Sequence, residues 1–572
     1  MNTADLNRQQ AVQLVETLTT LGLRHAVLSP GARNTPLMLA LHDAAIDGAD
    51  LTLHSVIDER AAAFYALGIA RQTDRPVLLS CTSGSAAANY FPAVVEASEG
   101  LVPLIVATAD RPAELQDCGA PQAMNQVDLF GTHVRAAATV EAPDADHSSE
   151  ELAGILQDLW SDATGRAPGP VHINLRFRKP LWRDGSPAIR TPPLTEFRQQ
   201  QAQAVSDTDL ERLVDETRGH QGVVVVGPDP SARLRPTDVQ ALADWLGWPI
   251  LADPVSQLRF GSEVSVIHHH DALLRSQTFR DEHPYTKAIC LGGTSSSRPL
   301  EELLRQTPSI AINPTDRNWN PWGGVTWTMP VSLSALVSGL ADKDPLDTDP
   351  GWRARWLESD ATADGAIRAF CDDGLWEGSI AHHFVSSLPA GTLLRIASSM
   401  PIRDVDSFCV DDGRSLRVSS NRGVNGIDGT IATTLGAAAV HPAPVALLTG
   451  DLSTLHDIGA LLTTPRPTQS VVITVVDNGG GGIFGFLPMR DHPTGFEPWY
   501  VTPHSHDIAA IARAMSVQTF SPTSLAACKQ AWQVSLQTPG VSLVHVRIDR
   551  QDSTDTHFDA WSAVTEALGR DQ

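Results

Sequence analysis

LTLHSVIDERAAAFYALGIARQTDRPVLLSCTSGSAAANYFPAVVEASEGLVPLIVATAD, residues 51–110, is the stretch whose rhythm decides the fold. Residues 52–56, 76–81 and 103–108 are short and apolar and read as strands, while 59–71 and 86–97 carry helical spacing. Strands apolar along their whole length, alternating with helices of this size, imply a parallel sheet covered on both faces. Small or polar residues follow the strands at Thr82-Ser83-Gly84-Ser85 and Thr108-Ala109-Asp110. In such sheets ligands bind at the carboxyl ends of the strands.

Outward from this stretch the unit repeats. Upstream, helical spacing over 11–21 precedes an apolar run at 25–28 and the breaker Ser29-Pro30-Gly31. Downstream, 182–206 is rich in Pro, Arg, Thr and Gln without apolar period and reads as a linker. A second α/β segment opens with 222–227 and includes 288–291 before Gly292-Gly293; charged and proline-containing residues over 342–349 mark a second crossing. Strands at 392–397, 445–448, 471–476 and 541–546 then return to the rhythm of the first segment. The expected fold class is α/β, three doubly wound parallel-sheet domains over 1–185, 205–342 and 350–572.

Composition narrows the function. The 572 residues carry 42 Lys+Arg against 66 Asp+Glu, a net charge of −24, which argues against a nucleic-acid partner because phosphate recognition needs a surplus of cations. No apolar run approaches the roughly 18 residues of a membrane span. The first residues lack the basic start and apolar stretch of a secretory signal, so a cytoplasmic location is expected. The six cysteines form no C-x-x-C pair, which indicates neither a disulfide framework nor a zinc ribbon. Lysine occurs only at 179, 287, 343 and 529, so the positive charge is nearly all arginine, the side chain suited to gripping carboxylates. Consecutive His268-His269-His270 cannot easily face one ion and read as structural or as part of a second-substrate lid.

The chemistry concentrates at Leu447-Leu448-Thr449-Gly450-Asp451, followed 27 positions later by Asn478 in Val475-Val476-Asp477-Asn478-Gly479-Gly480. Each half is an apolar strand ending in Gly and Asp or Asn. A hard divalent cation takes oxygen ligands, and Mg2+ usually uses one or two carboxylates plus phosphate oxygens. Asp451, the amide oxygen of Asn478 and a carbonyl near Gly480 would leave positions for a diphosphate and water. In the first domain Asp58-Glu59-Arg60 opens a helix directly after a strand, where acids also simply favour the helix dipole.

A glutamate at a strand end in one α/β domain, with Gly-Asp…Asn-Gly in a similar domain far downstream, is the layout of thiamine diphosphate enzymes. Over most of its length the sequence resembles the thiamine diphosphate-dependent synthases of menaquinone biosynthesis. The segments that carry the resemblance are 29–37 with Arg33, Asp58-Glu59-Arg60, Thr82-Ser83-Gly84-Ser85, 108–115 with Arg111, 420–429 with Arg422 and Ile427, and Gly450-Asp451 with Asn478. The resemblance implies that 1–185 binds the pyrimidine, 350–572 binds the diphosphate, and 2-oxoglutarate is decarboxylated and its succinyl unit added to isochorismate.

By the same resemblance Glu59 would hydrogen-bond N1′ of the aminopyrimidine and serve catalysis, and Ile427 would wedge the cofactor into its bent form. Asp451, Asn478 and Gly480 would hold Mg2+ or Mn2+, with Ile483 and Phe484 lining the cofactor pocket. Arg33, Arg111, Arg298, Arg403 and Arg422, with Gln122 and Ser399, fall on substrate-contact positions, which suits two dicarboxylate substrates. Ala32, Pro121 and Ser297 depart from residues common in the family. A homodimer or homotetramer with sites at subunit interfaces is implied. The competing expectations are another thiamine diphosphate-dependent 2-oxoacid decarboxylase or carboligase, or a non-catalytic α/β ligand-binding homologue.

Overall fold

The computed structural model describes residues 2–144, 149–183, 204–229, 233–315 and 317–570. Most of the linker expected over 182–206 lies outside them. The chain forms two compact units, the first comprising Met1–Gln200, Asn421–Pro442 and His456–Thr468, the second Gln201–Ser420, Ala443–Leu455 and Gln469–Gln572.

The first unit holds a six-stranded sheet in the order Thr52–Ser55, His25–Leu28, Val77–Cys81, Leu104–Asp110, Pro170–Arg176, Ala137–Val140. Every pairing is parallel. The central strands are buried along their length, as strands covered on both faces must be. The second unit holds two more parallel sheets. One runs Val325–Met329, Ser309–Ile312, Lys287–Leu291, Gly222–Val226, Ile250–Ala252, Val266–Ile267; the other Arg417–Ser419, Leu393–Ile396, Val445–Gly450, Ser470–Asp477, Gly540–Arg547, Gln518–Phe520. Numbered within each sheet by chain order, the first and last share the permutation 2-1-3-4-6-5. The repeated rhythm of the sequence is therefore a repeated topology.

Two readings need correction. The helix expected over 86–97 is two helices, Ser85–Asn89 and Phe91–Glu99, because Pro92 has no N–H to continue the ladder across Tyr90. The strand expected to end at Thr108 continues through Ala109 and Asp110, which pair with Leu175 and Arg176 of a neighbour that runs equally far.

Inside the first unit the helix Glu59–Thr73, capped by Asp58, which accepts from the Ala61 N–H at 3.2 Å, packs along the helix Thr430–Ala438. Their backbones meet: a Cβ on Gly436 would lie 1.9 Å from the Tyr65 carbonyl oxygen. A buried ion pair fixes the segment just before that second helix. Arg71 donates to Glu96 at 2.6 Å and to Asn421 at 2.9 Å, and the Gly423 and Val424 N–H groups donate to the Glu96 carboxylate at 2.9 and 2.8 Å. The segment that carries Arg422 and Ile427 is thereby tied to the first sheet's helices, although it lies over 300 residues further along the chain.

Candidate functional site

In the last sheet Gly450 pairs with Val476, so Asp451 and Asn478 leave adjacent strands at the same carboxyl edge. The 27-residue spacing is one strand-helix-strand unit. Asp451 is buried and opens the helix Asp451–Asp457. One of its oxygens accepts from the Leu452 N–H at 2.7 Å, and the other accepts from the Gly480 N–H at 2.8 Å and lies 3.1 Å from His504 Nε2. Gly480 has φ +148, and a Cβ there would come within 2.3 Å of the Val501 carbonyl oxygen, so only glycine brings this N–H up to the carboxylate. Ile483 and Phe484 follow in the short helix Gly482–Phe486, with Phe484 packed edge-on against Tyr500.

Asn478 Nδ2 donates to Glu377 Oε1 at 2.7 Å, whereas its Oδ1 is buried with no hydrogen-bond partner. An amide oxygen left without a donor in a buried site is costly unless something else binds it. Burial, with the neighbouring Asp477 carboxylate adding to it, pushes the Asp451 carboxyl up to about 6. Asp477 moves the other way: burial opposes its charge, but hydrogen bonds from His545 and the Gly479 N–H hold it well below the usual carboxylate range. A divalent cation would supply the charge Asp451 lacks and the partner Asn478 Oδ1 lacks. Carboxylate and amide oxygens fit the hard-cation chemistry of Mg2+; the Gly480 carbonyl expected beside them accepts from the Gly482 N–H at 3.0 Å. Beside it a cavity of about 480 Å³ is lined in part by Asp477, Asn478, Gly479, His504 and Arg547.

In the first unit Glu59 is the first residue of its helix and is half-buried, close enough to Cys81 and Tyr90 that its charge adds to the upward push burial gives both groups. Arg33 is buried; its backbone N–H donates to Thr82 Oγ1 at 3.2 Å and its guanidinium to the Phe177 carbonyl at 2.6 Å. Ser83 Oγ donates to the Gln122 carbonyl at 2.9 Å, and Arg111 reaches the Pro121 carbonyl at 2.5 Å. Arg33, Arg111 and Gln122 thus gather around the loops at the carboxyl edge of the first sheet. The Nε groups of Arg33, Arg111 and Arg422 are buried without a hydrogen-bond partner. Ile427 lies half-buried in the segment tied by Glu96.

In the second unit Ser399, at φ +79, caps the helix Met400–Phe408, and its carbonyl accepts from Arg403 at 2.5 Å. Arg298 is different: its side chain is 64% exposed and bonded to Glu302 one turn along its helix, an ordinary surface pair. Ser297, one of the departures, caps that helix and donates to Asp271 at 2.8 Å. His269 and His270 are buried among separate partners, Asp364 and Ser407 for one and the Ile267 carbonyl for the other. Sequence reasoning missed Asp477, His504 and Glu377. Asp477 was findable as the strand-end neighbour of Asn478; Glu377, 101 residues away, was not.

Fold and site together define a thiamine diphosphate-dependent enzyme. The family described as thiamine pyrophosphate enzyme, N-terminal TPP binding domain, matches residues 9–129; the middle domain of thiamine pyrophosphate matches 190–396; and the C-terminal TPP binding domain matches 412–546. A benzoylformate decarboxylase from Polynucleobacter necessarius shares the fold, with a TM-score of 0.72 over 95% of this chain and 99% of its own at 13% identity.

Similarity in sequence is more specific. The 2-succinyl-5-enolpyruvyl-6-hydroxy-3-cyclohexene-1-carboxylate synthase of Listeria monocytogenes is 35% identical over 97% of both chains, and that of Geobacillus kaustophilus 36% identical over 99% of both. The chain belongs to this synthase family, the thiamine diphosphate-dependent carboligases of menaquinone biosynthesis. Among the described residues no helix is long and apolar enough to cross a membrane.

Proposed function

We propose that this enzyme, working in the cytoplasm with thiamine diphosphate and Mg2+ or Mn2+, decarboxylates 2-oxoglutarate and joins the succinyl unit to isochorismate. The products are 2-succinyl-5-enolpyruvyl-6-hydroxy-3-cyclohexene-1-carboxylate and CO2. The observation that carries the metal and diphosphate part is the buried, unpartnered Asn478 Oδ1 at the end of the strand adjacent to the one that leads into buried Asp451. When bound, the cofactor acts as the electron sink for decarboxylation and transfer.

The chain's own residues orient and neutralise. Asp451, the Asn478 amide oxygen and the Gly480 carbonyl would hold the cation, which would neutralise the diphosphate. Glu59, at a helix start beside buried Cys81 and Tyr90, would hydrogen-bond the pyrimidine of the cofactor, and Ile427 would position it by packing alone. Arg33, Arg111 and Arg422 each keep a buried guanidinium N–H without a protein acceptor, which suits the carboxylates of the two substrates. Arg403 and Ser399 supply further donors, and Arg298 serves the second substrate once it leaves Glu302. Exposed Ile57 and Leu462, brought together in the first unit where the Ile57 N–H donates to the Thr463 carbonyl at 3.2 Å, support assembly into a homodimer or homotetramer.

Mass spectrometry after incubation with isochorismate, 2-oxoglutarate, thiamine diphosphate and Mg2+ tests the proposal. Its product should appear with all four present and vanish when any is left out. Release of CO2 from pyruvate in preference to 2-oxoglutarate would overturn the substrate assignment.

A further inference from the structure

Asn478 can serve a cation only through its oxygen, because an amide NH2 has no lone pair to give. Its side chain is nearly symmetric in shape, so something must decide which end faces the cation. Two features of this chain do so. Glu377 Oε1 accepts from Nδ2 at 2.7 Å, which engages the nitrogen end and leaves Oδ1 as the buried end with no hydrogen-bond partner. A Cβ on residue 482 would lie 2.2 Å from Nδ2 and 3.0 Å from Cγ, so the amide occupies a slot that exists only because Gly482 has no side chain.

Glu377 is itself held. It opens the helix Glu377–Ser387 and is buried. Ser553 Oγ donates to Glu377 Oε2 at 3.1 Å while accepting from the Glu377 N–H at 3.3 Å. His557 Nε2 stands 3.9 Å from Oε2 and 2.9 Å from Asp404. The carboxylate therefore cannot swing away from Asn478 without breaking a buried set of polar contacts.

We propose that Glu377 is a positioning residue of the metal-diphosphate site, fixing the Asn478 amide with its oxygen toward the cation, and that Gly482 completes the slot. This rests on the reading that Asp451 and Asn478 hold the cation, and it adds the residue that makes Asn478 a ligand rather than a donor.

The test is Mn2+ affinity, read by electron paramagnetic resonance in the presence of thiamine diphosphate and without substrate. Glu377→Met, which keeps the volume and removes the acceptor, should weaken Mn2+ binding by about 10–100-fold, the usual cost of losing an outer-shell partner. Glu377→Gln, which can still accept from Nδ2, should stay within about threefold of the unaltered enzyme by the same reasoning. In an Asn478→Ala background, Glu377→Met should add almost nothing, since its target is gone. Equal loss with and without Asn478, or no loss, would overturn the proposal. If Glu377→Met does not fold, Gly482→Ala decides independently: it should weaken Mn2+ binding to the same degree, and unchanged affinity would overturn the proposal. Failure of the unaltered enzyme to bind Mn2+ with thiamine diphosphate is a different result, which would remove the proposed cation site itself.

Discussion

Glu96→Gln is the most demanding test of how the first unit is built. Glu96 and Arg71 are 2% and 1% exposed, and two carboxylate oxygens of Glu96 take three donors: Arg71 Nη2 and the Gly423 N–H on one, the Val424 N–H on the other. A glutamine can keep the first two on its oxygen, but its NH2 then meets the Val424 N–H, donor against donor, and the Arg71 charge loses its counter-charge. Breaking a buried pair from one side costs about 3–5 kcal/mol. At roughly 2–4 °C per kcal/mol for a unit of this size, calorimetry should show the first unit's transition lowered by at least about 6 °C. Activity should fall as well, because the released segment carries Arg422 and Ile427. A variant melting within about 1 °C of the unaltered enzyme would refute the reasoning, since a desolvated guanidinium cannot lose its partner so cheaply.

Glu59→Gln should leave cofactor binding largely intact, measured by fluorescence titration, while lowering turnover by about two orders of magnitude or more, the range of proton-transfer catalysis. Asp451→Ala should raise the Mg2+ and thiamine diphosphate concentrations needed for half activity at least about tenfold, since it removes a proposed ligand and frees the Gly480 N–H. Asp457 gives a pH prediction: burial, opposed by the Ala432 N–H, pushes its carboxyl up from 3.8 to about 7. The protonated form is the stabilising one, so its contribution is complete below 3.8 and lost as pH rises through about 7, at up to about 1.4 kcal/mol per pH unit. Asp457→Asn should therefore flatten the fall in the first unit's melting temperature between about pH 4 and 7, checked by calorimetry at both ends.

The alternation of apolar strands with helices was enough to read three parallel sheets from the chain, because strands buried on both faces must be apolar throughout and helices must intervene. The Asp451 and Asn478 spacing was legible for a related reason: a strand-helix-strand unit has a narrow range of lengths, and register between adjacent strands does the rest. The break at Tyr90 could have been read from Pro92. That Thr108–Asp110 stay in the sheet could not, since it depends on how far the neighbouring strand runs.

Long-range polar geometry is where local pattern stops being informative. Nothing near Glu377 in the chain marks it as the acceptor for Asn478, and nothing near Glu96 marks it as the anchor of 421–424. A carboxylate acquires such a role only when folding removes water and brings one particular donor within hydrogen-bond distance. Periodicity and residue type settled which surfaces are buried and which strand ends face the ligand; tertiary packing alone settled which way the Asn478 amide points and where segment 421–427 is fastened, because hydrogen bonds are directional and close over distances the chain order does not encode.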